Sequence, residues 1–215
     1  MRIKWLGHAS FLITSQDNKK IITDPYNVGS GINYKPIDET ADIVTVSHEH
    51  GDHNNVKAVK GNPAILREGG VRTIQNIEFK AIPAFHDEAR GSKRGNDLIF
   101  CFKVDEINIC HLGDLGHPLS REQLSQIGPV DVLFIPVGGF FTIDAGTAGN
   151  TVRAINPVIT IPMHYKTPQC DYPISTVDEF LKGKGNVRRL DSSEIVINKD
   201  TLPAEPEILV LQPAI

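Results

Sequence analysis

Cysteine is scarce in this chain. Cys101, Cys110 and Cys170 are odd in number and form no C-x-x-C pair, so no disulfide framework is expected and a reducing, cytoplasmic setting is the default. Long apolar runs are also missing. No stretch approaches the ~20 apolar residues of a membrane span, and Met1-Arg2-Ile3-Lys4 leads into no core of signal-peptide length. No membrane partner is expected. Nor is there a basic excess: 22 Lys and Arg face 26 Asp and Glu, a net −4 with His neutral. A binder of nucleic-acid backbones normally carries a basic surface, so this balance argues against nucleic acid as a partner. Finally, there is no G-x-S-x-G elbow, and no cysteine sits in a nucleophile motif. These absences agree with a water nucleophile.

What is present describes an ordinary globular chain. Its 215 residues are 40% hydrophobic and 22% charged, which suits one domain, residues 1–215, able to bury most of its apolar surface. No linker, repeat or low-complexity segment interrupts it. Leu202 to Glu207, with two prolines, reads as a turn-rich tail.

The distinctive stretch is Val46-Ser47-His48-Glu49-His50-Gly51-Asp52-His53. Three of the eight histidines in the chain fall inside one hexapeptide, with two carboxylates between them. The apolar run Ile43-Val44-Thr45-Val46 before it reads as a buried strand. Imidazole nitrogen and carboxylate oxygen are the donors that zinc, manganese and iron take. In an extended loop His48 and His50 point the same way, towards one ion, while Glu49 points away. Asp52 and His53 project differently, which suits a second ion close by.

Strands dominate the first half. Ile3–Leu6, Phe11–Ile13 and Ile21–Ile22 read as a meander, and Asn27 to Lys35 as a Gly/Asn/Ser-rich loop. Further strands are predicted at Ala64–Arg67, Ile77–Ala84, Leu98–Val104 and Ile107–Leu112, the last two joined as a hairpin through Asp105-Glu106. Asn54-Asn55 is expected to cap a short helix through Lys60. Beyond Asp114 strands alternate with helices. Ser120-Arg121-Glu122-Gln123 is a capping box, Val132–Ile135 and Val158–Ile161 are buried strands, and helices are expected over Thr147–Ile155 and Ser175–Lys182. Val187–Leu190 and Ile195–Ile197 read as edge strands, with Ile208–Leu211 as another. Strands in two groups with few helices predict two packed sheets flanked by helices, in the α/β or α+β class.

His48-Glu49-His50-Gly51-Asp52-His53 resembles the H-x-H-x-D-H signature of the metallo-β-lactamase superfamily in every defined position. Trp5-Leu6-Gly7-His8-Ala9-Ser10, Thr23-Asp24-Pro25, Gly113-Asp114 and Met163-His164-Tyr165 narrow the resemblance to its small metal-dependent hydrolases, akin to the ascorbate-phosphate lactonase branch. It covers Ile3 to about Ile197. The resemblance implies an αββα sandwich and two divalent ions, zinc foremost, with manganese or iron as alternatives.

Two ions need roughly four ligands each, more than the hexapeptide supplies. His86, Asp114 and His164 all follow predicted strands, where side chains from separate strands converge on one edge. The resemblance makes them the third histidine of the first metal, the bridging carboxylate and the last histidine of the second. The expected set is then His48, His50 and His86 with Asp52, His53 and His164, joined by Asp114. His111 competes with His86, although strand alternation sets it opposite Asp114. In the superfamily an aspartate at the position of Asp24 orients a ligating histidine. His8 either approaches the pocket or is a turn histidine, and His117 reads as a loop residue near the mouth. Gly138-Gly139 reads as a turn after a strand. Asp87 to Asn96, with two glycines, reads as a mobile basic loop from which Arg90 or Arg94 swings over the metals.

The expected chemistry is hydrolysis of a small, anionic ester, lactone or phosphodiester, by a metal-bridging hydroxide, with Asp52 and Asp114 in catalytic roles. A phosphodiesterase of RNA-processing type and a non-catalytic metal-binding module are the alternatives. Self-association is left open.

Overall fold

The computed structural model describes residues 1–214. β1 (Arg2–Gly7), β2 (Ser10–Thr14) and β3 (Lys20–Thr23) form an antiparallel meander, and β4 (Ile43–Thr45) and β5 (Ala64–Leu66) add to β3 in parallel. β6 (Gly70–Ile74), β7 (Ile77–Phe85), β8 (Asn96–Val104) and β9 (Ile107–His111) then run antiparallel in a second sheet. After α1 (Arg121–Ile127), β10 (Val132–Pro136), α2 (Ala145–Ile155), β11 (Ile159–Met163) and α3 (Val177–Leu181) come β12 (Val187–Arg189), β13 (Glu194–Val196) and β14 (Glu207–Val210). The first sheet is ordered β13-β1-β2-β3-β4-β5, the second β12-β14-β11-β10-β9-β8-β7-β6.

The sheets face each other across one core. Ile3, Trp5, Phe11 and Ile13 of the first share it with Phe79, Phe100 and Phe134 of the second, and the Phe11 and Phe134 rings pack with centroids 4.1 Å apart at a tilt of 31°. β10 and β11 are buried at every position, as parallel strands covered on both faces must be. Ile127, Ala148, Val177 and Phe180 bring the three helices into this core. The outer face of the first sheet is covered differently. Leu12, Ile22 and Val44 meet Tyr26, Ile32, Tyr34 and Ile37 from the 26–41 loop, and two packed sheets with few helices give the mixed α/β architecture expected. No helix among the described residues is long and apolar enough to cross a membrane.

Several local expectations change. The helix predicted at Asn54–Lys60 is a single 3-10 turn, Val56–Ala58, without a side-chain cap. Asn54 donates instead to the Glu49 carbonyl and carboxylate, and Asn55 to the Tyr26 carbonyl. β6 has no apolar pattern and is almost wholly exposed. It forms because Gln75 and Asn76 sit at φ 50° and 65°, the doubly left-handed turn that closes a two-residue hairpin onto β7. Asp105 and Glu106, at 49° and 62°, make the same turn between β8 and β9. β14 is not an edge but lies between β12 and β11.

This topology decides where chemistry can occur. β1, β3, β4, β7, β9 and β11 deliver their carboxyl ends, and β8 its start, to one edge of the sandwich. That edge carries His8, Asp24, the 47–53 stretch, His86, Asp97, Asp114 and His164.

Candidate metal centre

Asp114 sits at the middle of this edge, buried in the loop that follows β9. Four imidazoles surround one of its oxygens. Nε2 of His164 lies 3.1 Å from Oδ2, those of His53 and His86 each 3.3 Å, and that of His48 4.0 Å. Histidine and carboxylate bonds to zinc are ~2.0–2.2 Å, so neighbouring donors on one tetrahedral ion lie roughly 3.3–3.6 Å apart. The His53 and His86 separations match, that of His164 is slightly shorter and that of His48 longer. Nε2 of His48 and His53 and Oδ1 of Asp114 are buried with no hydrogen-bond partner, an expensive state for protein alone. The donors present fit divalent cations.

Two outer groupings flank Asp114. His48, His50 and His86 bring one nitrogen each within 4.8 Å of one another, and His8, Asp52, His53 and His164 form a second set on the same criterion. Both nitrogens of His111 are spent elsewhere. Its Nε2–H donates to the Ala9 carbonyl at 2.9 Å, and its Nδ1 accepts from Gly113 N–H at 3.2 Å. His117 is likewise bound to backbone, at Pro118 O and Phe85 N–H.

The buried carboxylate of Asp24 works behind this layer. It accepts Ser47 N–H at 2.7 Å, Ser47 Oγ–H at 2.6 Å and His53 Nδ1–H at 3.0 Å. The proton is thereby kept on Nδ1 of His53, and Nε2 turns its lone pair to the cluster. Since Ser47 Oγ–H donates to Asp24, the same oxygen accepts from His48 Nδ1 at 2.9 Å, which frees Nε2 of His48 too. One carboxylate thus sets two tautomers. Ser47 is a residue that sequence reasoning passed over, although it stands directly before the motif.

Charge in the cluster is tightly balanced. Burial opposes the charge on Asp114, but His164 and His53 hold its carboxyl well below the usual range. Burial likewise opposes Asp52, and His53 and His8 keep it low. Burial, with His53 beside it, pulls the His48 imidazole down to about 4. Burial, with His164 beside it, does the same to His8, also to about 4. Asp97 goes the other way, since burial and then the Asp114 and Asp24 charges push it well above the carboxylate range. Its Oδ1 accepts Asp114 N–H at 3.2 Å. The only sequence signal for Asp97 was a carboxylate at the head of an apolar strand.

Backbone strain and close approach mark the same place. His8, Asp24 and His164 hold φ of 53°, 38° and 50°, a left-handed region costing such residues ~1–3 kcal/mol each. Gly138 lets His164 lie where it does, because a Cβ there would come within 2.3 Å of the His164 carbonyl oxygen. Gly138 N–H donates to that same oxygen, so it is a packing turn with its donor already used.

The loop after His86 is tied together by hydrogen bonds. Asp87 Oδ1 accepts the N–H groups of Ala89 and Gly91, and Oδ2 those of Lys93 and Arg94, at 2.7–3.0 Å, so the segment is wound around one buried carboxylate. This winding separates the two arginines. Arg94 donates to the Phe140 carbonyl at 3.0 Å and lies over the Phe141 ring. With Phe141 and Tyr172 it walls a cavity of about 270 Å³ that also holds His50, Asp52, His86, Asp114 and His164. Arg90 is exposed and lines a separate hollow with His117, so it does not reach the cluster. Nothing in the sequence pointed to Tyr172, whose hydroxyl donates to Asp52 Oδ2 at 3.3 Å. A larger cavity of about 1010 Å³ opens between Lys35–Glu39 and Pro213–Ala214. None of the clustered imidazoles line it.

Comparison with known proteins bears on this edge. Residues 2–164 match the beta-lactamase superfamily domain. A UPF0173 metal-dependent hydrolase of Pelotomaculum thermopropionicum is 31% identical over 196 residues, 78% of this chain and 85% of the relative. Its counterpart in Pyrococcus abyssi is 31% identical over an alignment of 227 residues, covering 93% and 96%. A crystal structure from Thermotoga maritima, assigned to the Zn-dependent hydrolases of the metallo-beta-lactamase superfamily, aligns with TM-score 0.82 at 34% identity, over 98% of this chain and 97% of its own.

Proposed function

This chain belongs to the metallo-β-lactamase superfamily as a metal-dependent hydrolase, and from that premise we propose that it holds two divalent cations and hydrolyses a small anionic ester, a lactone or phosphodiester. The observation that carries the reading is the Asp114 Oδ2 atom shared among Nε2 of His48, His53, His86 and His164. His48, His50 and His86 would hold the first cation and Asp52, His53 and His164 the second, with Asp114 available to both. Zinc, manganese and iron all suit such donors. When bound, the cations lower the pKa of water towards neutrality and offset the negative charge that develops on the substrate.

The remaining work falls to the side chains. Asp24 and Ser47 keep the lone pairs of His53 and His48 aimed inward. Asp114 and Asp52 border the cavity and are the carboxylates within reach to accept the proton of the attacking water and return it to the leaving oxygen. Phe141 and Tyr172 narrow the space open to solvent. The guanidinium of Arg94, which lines the same cavity, pairs with a phosphate or carboxylate of the substrate, whose two oxygens match its planar fork.

A hydrolysis screen over lactones, phosphodiesters and thioesters, with zinc, manganese or iron restored separately to chelated protein, tests the reading. Activity should vanish with chelation and return with metal; full turnover in a metal-free preparation would sink the proposal. Arg94→Ala should lose a charge-assisted contact of ~1.5–3 kcal/mol, a loss of roughly 10–150-fold in kcat/KM on an anionic substrate. A matched neutral ester should be spared. Arg90→Ala, which alters a different hollow, should leave both substrates alone. Equal losses on the two substrates in Arg94→Ala would remove the anionic preference.

A further inference from the structure

His8 has more in common with the proposed ligands than with a turn residue. Its side chain is fully buried, yet neither ring nitrogen has a hydrogen-bond partner. Nε2 lies 3.3 Å from Asp52 Oδ2, the spacing seen between Asp114 Oδ2 and the imidazoles of His53 and His86. Its ring centroid is 4.1 Å from that of His164 and 5.1 Å from that of His53. His8, Asp52, His53 and His164 together bring one donor atom each within 4.8 Å of one another.

The backbone is built to hold it there. His8 has φ 53°, and its carbonyl accepts Trp5 Nε1–H at 3.0 Å and His164 N–H at 3.2 Å. The second contact ties His8 directly to another member of the cluster. Gly7, before it, has φ 133°, and a Cβ at that position would fall within 2.5 Å of the Tyr34 ring. A surface turn has no need of a left-handed, doubly anchored and wholly buried imidazole. Such strain is retained where the side chain has work to do.

We infer that His8 is a protein ligand of the second cation, through Nε2. The inference rests on the two-cation reading above. It makes the positions unequal, with His48, His50, His86 and Asp114 around the first, and Asp52, His53, His164, His8 and Asp114 around the second. Four donors suit tetrahedral zinc. A fifth favours an ion that takes higher coordination, such as manganese or iron.

The test loads chelated wild type, His8→Ala and His8→Gln with cobalt(II) or zinc(II). Stoichiometry and affinity come from competition with a chromophoric chelator, geometry from the cobalt visible bands, and folding from thermal melts with and without metal. Wild type should take two metals. In both variants one should stay at wild-type affinity and the other weaken by more than the ~10–100-fold typical of losing a partner behind a ligand. Cobalt absorption per bound ion should strengthen as the coordination number falls. If His8→Ala does not fold, the isosteric His8→Gln decides. A folded variant with wild-type stoichiometry, affinity and cobalt spectrum overturns the assignment. Lost turnover with those three unchanged overturns it too, and places His8 on the substrate. Wild type that takes up no metal would instead end the two-cation reading itself.

Discussion

Replacing Asp24 by asparagine keeps the shape of the side chain and turns an acceptor of two hydrogen bonds into a donor. Oδ1 still accepts Ser47 N–H, at 2.7 Å in the native chain. The amide nitrogen, however, takes the place of Oδ2, which now accepts both Ser47 Oγ–H and His53 Nδ1–H. Two donors would meet a donor. His53 relieves the clash by moving its proton to Nε2, the nitrogen 3.3 Å from Asp114 Oδ2 and 3.8 Å from Asp52 Oδ2. A ring protonated there has no lone pair for a cation. Ser47 Oγ must turn as well, which disturbs the His48 tautomer. Loss of a partner behind a ligating histidine costs ~10–100-fold in metal affinity, or about 1.4–2.8 kcal/mol at ~1.4 kcal/mol per tenfold. Asp24→Asn should therefore bind zinc that much more weakly in competition with a chromophoric chelator. Its metal-free melting should suffer less than that of Asp24→Ala, which strands three buried donors at ~1–3 kcal/mol each. Wild-type zinc affinity in a folded Asp24→Asn protein would refute the argument that this carboxylate sets the tautomers.

Four further outcomes are expected. Asp114→Ala should abolish turnover and release at least one metal. His111→Ala should keep its metal content and instead lose ~1–3 kcal/mol for each partner left unpaired at Ala9 O and Gly113 N–H; metal analysis and denaturant melts separate the two, and metal loss in His111→Ala would mean that it is a ligand after all. Gly138→Ala puts a methyl group 2.3 Å from the His164 carbonyl oxygen, so it should cost ~1–3 kcal/mol of overpacking and loosen the metal nearest His164, which an unchanged melt and metal titration would contradict. Asp144 caps α2 by accepting Thr147 N–H, and that bond lowers its carboxyl pKa. Asp144→Ala should lose ~0.5–2 kcal/mol at neutral pH. The native contribution is full above the unfolded carboxyl pKa of about 3.9 and fades as pH falls through the lower folded value, so the gap between the two proteins should close in acid.

Much of the layout is written locally. The capping box at Ser120 and Gln123 forms as its residue types require, and the apolar runs at Ile43, Val132 and Ile159 are strands. The imidazole-carboxylate hexapeptide names a metal chemistry because its donors are contiguous. Where local signals failed, a distant partner outweighed them. Asn54 and Asn55 resemble helix caps, but Glu49 and Tyr26 take their amides. The two glycines after His86 suggest an open loop, but four N–H groups close on Asp87.

The amino-acid order by itself determined the fold class, the family and the donor types, because strand periodicity and a six-residue motif act over a few residues. Only the tertiary structure decided which histidines face Asp114, since His86 and His111 are alike as residues and differ in what reaches their nitrogens. It alone brought in Ser47, Asp97 and Tyr172, placed His8 against Asp52 and parted Arg94 from Arg90. Those contacts join residues tens to more than a hundred positions apart. They exist because two sheets, packed face to face, bring the ends of separate strands to one edge, and no spacing within the chain encodes which side chains meet there.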